Sequence, residues 1–224
     1  MTQNTLYYIH DPMCSWCWGF RPAWDALKLK LLNTHPSLAI HNIAGGLAPD
    51  SDKVMSLEMR QMLQSTWQRI QNTIPNTVFN YDFWQIGEPR RSTYPACRAV
   101  IVAGQQSTAL TDNRHEDGMI FAIQQAYYLQ AKNPSNDDVL MGCAKSIGLD
   151  SVRFAQDLNS EKIQQQLLQH IAKYRHLAQL SGISGFPSVV LSYSSHNETT
   201  YRAIAIDYNN PQTMFDIIHQ CLSI

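Results

Sequence analysis

Cys14 and Cys17 stand three residues apart in Cys14-Ser15-Trp16-Cys17, a spacing at which two thiols on one helical turn can close a small disulfide ring. A C-x-x-C that follows a strand and opens a helix reads as a redox pair. At a helix start the peptide dipoles and free N–H groups favour the thiolate of the first cysteine. Cys14 is therefore the expected nucleophile and Cys17, one turn further in, the resolving thiol. The same spacing is half of a zinc site, but a closed site needs two more ligands. The sequence has no second C-x-x-C and no H-x-x-x-H, so no metal is expected. Two unreactive core cysteines remain the plain alternative, because free cysteine buries readily.

Gly185-Phe186-Pro187 is the second feature with chemical content. A proline cannot donate to a sheet ladder and belongs at a strand end. A cis Phe186–Pro187 bond beside Cys14 would expose the Phe186 backbone, against which an extended peptide or a glutathione backbone could pair as an added strand. Most X-Pro bonds are trans, but the place of this one, opening a strand beyond a long helical stretch, favours cis. Trp16, between the two cysteines, is expected to be partly exposed and to contact substrate together with Phe186 and Pro187. Trp18 and Phe20 are expected to pack in the core. His10 and Asp11 precede Cys14 and could tune its thiolate, yet a solvated histidine and a turn-forming aspartate are the commoner roles, and neither is assigned to catalysis. Cys97 is expected to be buried in a helix, and becomes a third thiol near the site only if the helical part folds over it. Arg98 suits either a glutathione carboxylate or a surface ion pair.

The elements that must hold these residues follow from pattern. Leu6–His10 is aromatic and β-branched, a strand stopped by Asp11-Pro12. Trp18, Trp24, Leu27 and Leu31 recur at three- and four-residue steps, the period of a helix running to about Leu32, with a kink expected at Pro22. Leu38–Ile43 completes a β-α-β unit, and Gly45-Gly46 turns out of it. Long helical segments follow at Lys53–Ile70, Tyr94–Gln105, Met119–Ala131, Asp137–Ile147, Ser151–Leu158 and Glu161–Leu180, with Asp150 and Ser160 as N-caps. Turn-rich stretches lie at Thr73–Asn80 and Gly87–Arg91. Strands return at Pro187–Tyr193 and Thr199–Ala205 around a polar turn at Ser194–Glu198, before a last helix from Pro211 to Leu222. The expected organisation is a discontinuous α/β domain, residues 1–48 and 181–224, carrying an inserted helical subdomain at 49–180.

With 44% hydrophobic and 16% charged residues the 224-residue chain should fold throughout. Its formal net charge of −1 gives no pull toward nucleic acid or anionic membranes. Apolar runs are too short to cross a bilayer. Five cysteines, odd in number and scattered apart from Cys14 and Cys17, do not form a secreted disulfide framework. With no export signal in the first residues, a cytoplasmic location is expected.

The β-α-β start with C-x-x-C, Pro22 five residues past Cys17, the helical insertion and Gly-Phe-Pro before a ββα end together resemble the thioredoxin superfamily, specifically the DsbA family. Asp11-Pro-Met-Cys-Ser-Trp-Cys-Trp-Gly-Phe20 and Tyr94-Pro-Ala-Cys-Arg98 are most similar to its cytoplasmic FrnE-like branch of predicted protein disulfide isomerases. The resemblance implies a thioredoxin fold with a large helical insertion, Cys14 attacking, Cys17 resolving, and Pro187 as the cis proline. It implies no bound cofactor, with glutathione as a co-substrate at most, and partners that are protein or small-molecule thiols and disulfides. Ser15-Trp16 replaces the Pro-His of the periplasmic oxidase, so oxidising strength does not carry over. Two other readings stay open. Kappa-class glutathione transferases and 2-hydroxychromene-2-carboxylate isomerases resemble this architecture but use a serine at the helix start. A redox-responsive binding module built on the aromatic surface is the non-catalytic alternative.

Overall fold

The structure, a computed structural model, describes residues 3–86, 88–107, 113–195 and 198–223. Strand β1 (Thr5–His10) is buried on both faces: Leu6 and Tyr8 point into one apolar cluster and Ile9 into another. A strand covered on both sides by helices needs such a near-continuous apolar run. Helix α1 (Ser15–Thr34) lies against the first face through Phe20, Trp24, Leu27 and Leu31. It continues through Pro22, which is exposed, rather than stopping there. β2 (Ala39–Ala44) pairs parallel to β1, with Ile9 opposite Ile43.

Between β2 and the third strand lie α2 (Leu57–Thr73), α3 (Phe83–Ile86), α4 (Tyr94–Gly104), α5 (Arg114–Tyr128), α6 (Asp137–Ser146), α7 (Ser151–Leu158) and α8 (Glu161–Ser181). Then β3 (Ser188–Ser195) pairs antiparallel to β1, β4 (Glu198–Ile204) pairs antiparallel to β3, and α9 (Pro211–Leu222) closes the chain beside α1. The sheet order is β2-β1-β3-β4. Because β3 runs against β1, with Ile9 opposite Ser188, the end of β1 and the start of β3 meet at one edge of the sheet. That edge is where Cys14 and Pro187 stand. The α/β fold with a large helical insertion is therefore the one observed. α8 serves two layers: Ile163, Leu167 and Ile171 join the helical cluster, whereas Leu177 joins Ile9, Ile43 and Val190 on the second face of the sheet.

Asp150 accepts hydrogen bonds from the N–H groups of Val152 and Arg153, and Ser160 from that of Ile163, so both caps act as expected. α2 starts at Leu57 rather than Lys53. A bridge between Val54 and Arg90, and the Met55 N–H donating to the Pro89 carbonyl, hold the preceding residues extended until Ser56 caps the helix. The short α3 falls in a stretch without helical periodicity, its Phe83 and Trp84 drawn into the aromatic cluster. α5 begins five residues before Met119, after Asn113, whose side chain does not cap the helix but donates to the Ile40 carbonyl, and ends at Tyr128. His196 and Asn197, in the expected polar turn, and Gly87 lie outside the described residues.

Trp67 organises the helical layer. It is 1% exposed, with ring centroids of Phe79 at 4.7 Å, Trp84 at 4.8 Å, Tyr128 at 5.6 Å and Tyr127 at 5.8 Å. Truncating a buried tryptophan removes its transfer energy and leaves a cavity. Trp67→Ala should lower the unfolding free energy by about 3–5 kcal/mol, read from urea denaturation; a loss below about 0.5 kcal/mol, the usual limit for surface changes, would show that the cluster does not stabilise the layer.

Candidate active site

Asp11, Pro12 and Met13 turn the chain from β1 into α1. The Cys14 N–H donates to the Asp11 carbonyl at 3.0 Å, and the Trp18 N–H to the Cys14 carbonyl at 3.1 Å. Cys14 thus occupies the N-cap, with an extended backbone (φ −80°, ψ 117°) and no side chain capping the first turn. N–H dipoles of an uncapped helix start favour an anion placed there. Cys14 is 8% exposed and Cys17 is sealed at 0%; both thiols are free. Burial, followed by interaction with Cys14, pushes the Cys17 thiol well above its ordinary range.

The Cys14 Sγ donates to the Phe186 carbonyl at 3.5 Å, and the Phe186–Pro187 bond is cis. Cys14, Phe186 and Pro187 are thereby brought together, as expected. The Phe186 ring fills the space a side chain at Gly45 would need: a Cβ there would come within 2.0 Å of Cε1. Only a residue without a side chain allows that approach. The Gly185 N–H donates to the Tyr174 hydroxyl, so α8 also holds the loop. Trp16 is half-buried, as expected: its ring meets that of Tyr208 at 5.3 Å, and the Arg69 guanidinium sits 5.5 Å above it.

Several residues stand elsewhere than the sequence suggested. Trp18 is only half-buried, not packed away; its Nε1 donates to the Val78 carbonyl and its ring stacks on Tyr128 at 5.7 Å. Phe20, by contrast, is fully buried in the core, as expected. Arg98 is neither at the surface nor free for a ligand, since it grips Asp50 at 2.8 and 2.9 Å from within the helical layer. His10 is not solvated. It is 0% exposed, stacked on Tyr8 at 5.1 Å, with no partner for either ring nitrogen among the described residues. Burial is the main cause that lowers its pKa to about 3.

Asp11 is more than a turn former. Its Oδ1 accepts from the Met13 N–H at 2.8 Å, and its Oδ2 from the Leu47 N–H at 2.7 Å, the Thr93 hydroxyl at 2.7 Å and the Cys97 thiol at 3.4 Å. Cys97 is buried, and the helical layer does fold over this site. Burial pushes the Asp11 carboxyl up while the four donors pull it down, and burial prevails. Burial, reinforced by that carboxyl, pushes the Cys97 thiol well up. Sequence reasoning passed over Tyr8, Thr93 and Tyr208; for Thr93 the nearest signal was the Tyr94-Pro-Ala-Cys97 segment that follows it. Among the described residues no group of three or more His, Cys, Asp or Glu could hold a metal.

Two predictions follow from this geometry. Gly45→Ala should displace the Phe186 ring and cut thiol–disulfide exchange at least tenfold, assayed with a dithiol-dependent disulfide substrate; an unchanged rate would separate Phe186 from the reaction. The second concerns acid. His10 and His170 have folded pKa values lowered from 6.5 to about 3 and about 4, chiefly by burial. Below pH 6.5 the unfolded chain binds protons the fold refuses, so their stability term is complete above 6.5 and is lost as pH falls toward 4. His10→Phe should reduce the slope of stability against pH between 6 and 4 by about one proton, roughly 1.4 kcal/mol per pH unit. Parallel denaturation series with equal slopes would show that His10 charges freely in the fold.

The geometry has counterparts. The thioredoxin family profile matches residues 7–210. The ClpXP adapter protein SpxH of Halalkalibacterium halodurans is 27% identical over 161 residues, 70% of this chain and 49% of that protein; the chain spans about half the length of the curated relatives it matches. Among solved structures, a candidate protein disulfide isomerase from Nitrosomonas europaea superposes with a TM-score of 0.78 at 24% identity, over 99% of this chain and 98% of that one. The cytosolic disulfide reductase DsbM from Pseudomonas aeruginosa gives 0.70 at 20% identity, over 98% of each, and has also been solved with GSH. These structures share the fold, helical insertion included. With the profile extending over nearly its whole length, the chain belongs to the thioredoxin family.

Proposed function

We propose that the protein is a thiol–disulfide oxidoreductase, a reductase or isomerase of protein or small-molecule disulfides, working in the cytoplasm through Cys14 and Cys17. One observation carries this reading: the Cys14 sulfur stands at an uncapped helix start 3.5 Å from the backbone carbonyl of the Phe186–Pro187 loop, while Cys17 is sealed one turn behind it. A substrate reaches one sulfur and the resolving sulfur waits inside. Trp16, Phe186 and Pro187 border the entrance, and glutathione, present in one DsbM structure, is a fitting co-substrate.

In the reductive direction the Cys14 thiolate attacks one sulfur of a substrate disulfide. That S–S bond breaks, and the departing thiolate takes up the proton Cys14 released. Cys17 then gives up its proton and attacks the Cys14 sulfur, the mixed disulfide breaks, and the second substrate thiol leaves with that proton. Two electrons have passed from the dithiol to the substrate, and a low-molecular-weight thiol restores the dithiol. The glutathione transferase and isomerase reading is disfavoured by the paired thiol, because activating glutathione needs one group and exchange needs two.

A binding role has one observation in its favour. Leu47 and Val54, on the segment leaving β2, and Leu57, the first residue of α2, are 38%, 45% and 70% exposed, and exposed apolar side chains of this kind are what a partner could cover. The adapter function named for the curated relatives would need such exposed apolar residues, and turnover decides between the two.

Cys17→Ser should accumulate covalent adducts through Cys14, seen as bands on non-reducing gels after acid quenching that vanish on reduction. Cys14→Ser should form less than a tenth as many. Equal trapping by both variants would overturn the assignment of nucleophile and resolver. Full exchange activity in both would remove the dithiol mechanism.

A further inference from the structure

Helix α2 and the loop between β4 and α9 both reach Trp16, the larger of the two residues between the cysteines. From α2 the Arg69 guanidinium lies over the Trp16 ring at 5.5 Å, and from the loop the Tyr208 ring meets it at 5.3 Å. The two walls are tied to each other, since the Asn209 side-chain amide donates to the Thr73 carbonyl at the end of α2. Tyr208 is also held against α1, by an edge contact with Phe20 at 5.8 Å. Arg21, Arg98 and Arg153 are paired with Asp25, Asp50 and Asp157. Arg69 is exposed, and among the described residues its guanidinium has only the indole face as a partner, with no carboxylate or carbonyl. Asp207, the acid beside Tyr208 in the chain, accepts instead from the N–H groups of Asn209 and Asn210. A guanidinium held against an indole face is already oriented, and its forked donors match a carboxylate.

We propose that Arg69 is a specificity-determining residue, selecting peptide disulfides that carry an acidic side chain next to the cysteine attacked by Cys14. The proposal rests on the dithiol reading above. Trp16 stands in the first turn of α1, two residues past Cys14, so a peptide joined to Cys14 and paired along Phe186 carries its flanking residues past the indole. Trp16 and Tyr208 give the stem of such a residue an aromatic surface, and the Arg69 guanidinium receives its carboxylate. The attraction is local. With a formal net charge of −1, the protein as a whole does not draw acidic partners toward it. Glutathione offers carboxylates too, and the test separates that source from an acidic peptide.

The test is kcat/KM of the whole protein on three synthetic peptide disulfides, alike except for Glu, Gln or Lys next to the cysteine, with a small dithiol as the electron source. Wild type should prefer the Glu peptide over the Gln peptide about fivefold at low salt, the upper range of an exposed ion pair. Salt at about 0.5 M should screen most of that preference away. Arg69→Gln should bring the ratio to within about twofold of unity, and Arg69→Glu should reverse the order so that the Lys peptide leads. Lys145→Gln makes the same change in net charge at an exposed position of α6 and should keep the wild-type ratio. Each ratio is taken within one protein, so a partial loss of folded protein cancels. Four results would each overturn the proposal: no wild-type preference for the Glu peptide, an Arg69→Gln ratio equal to wild type, a Lys145→Gln ratio that falls as far as that of Arg69→Gln, or Arg69→Gln slowed on glutathione disulfide with its peptide ratio intact. Turnover of the Gln peptide that disappears in Cys14→Ser, alongside any of these, leaves the dithiol reading standing and rejects only the role of Arg69.

Discussion

The register of β1 against β3 is the constraint on which the site depends. With Ile9 opposite Ser188, the residues just beyond β1 and just before β3 are forced to one place, although Cys14 and Phe186 are 172 positions apart in the chain. A slip of one residue would turn Leu6 and Tyr8 out of their apolar cluster and put Ile9 in their place. Burial on both faces therefore does more than stabilise the sheet; it sets how far the reactive sulfur lies from the loop that receives substrate. The helical layer is then fastened to this edge by a carboxylate, since Asp11 takes donors from α4 and from the segment leaving β2.

That fastening is polar in an otherwise apolar interior, and polar groups are costly there unless they are satisfied. Asp11 has four donors, whereas His10, its neighbour, has none among the described residues. The two adjacent side chains take opposite routes to the same end. Asp11 keeps hydrogen bonds suited to an anion, and His10 avoids charge altogether.

Much of this was legible in the sequence, because local patterns carry it. The period of Trp18, Trp24, Leu27 and Leu31 marks α1, and Asp150 and Ser160 mark helix starts by side-chain chemistry that acts within three residues. The C-x-x-C and Gly-Phe-Pro motifs mark the two halves of the site. What stayed illegible depends on contacts across the chain. Nothing local says that Asp11 will meet Thr93 and Cys97, or that His10 will be covered. Arg98 looked like a surface cation because its partner, Asp50, lies 48 positions away. Trp18 looked like a core residue because its size suggests burial, but its indole N–H finds a loop carbonyl instead. α3 escaped notice because a single turn has no period to read.

α8 links the two layers in a different sense. One continuous helix gives its first half to the helical cluster and its second half to the sheet, so neither layer has a complete core without it. The insertion is consequently not a detachable cassette. A shortened chain that joined β2 directly to β3 would keep the two cysteines and the proline but strip the cover from Ile9, Ile43 and Val190. Such a chain would expose one side of its sheet to water, and the layers are expected to unfold in a single cooperative transition rather than one after the other.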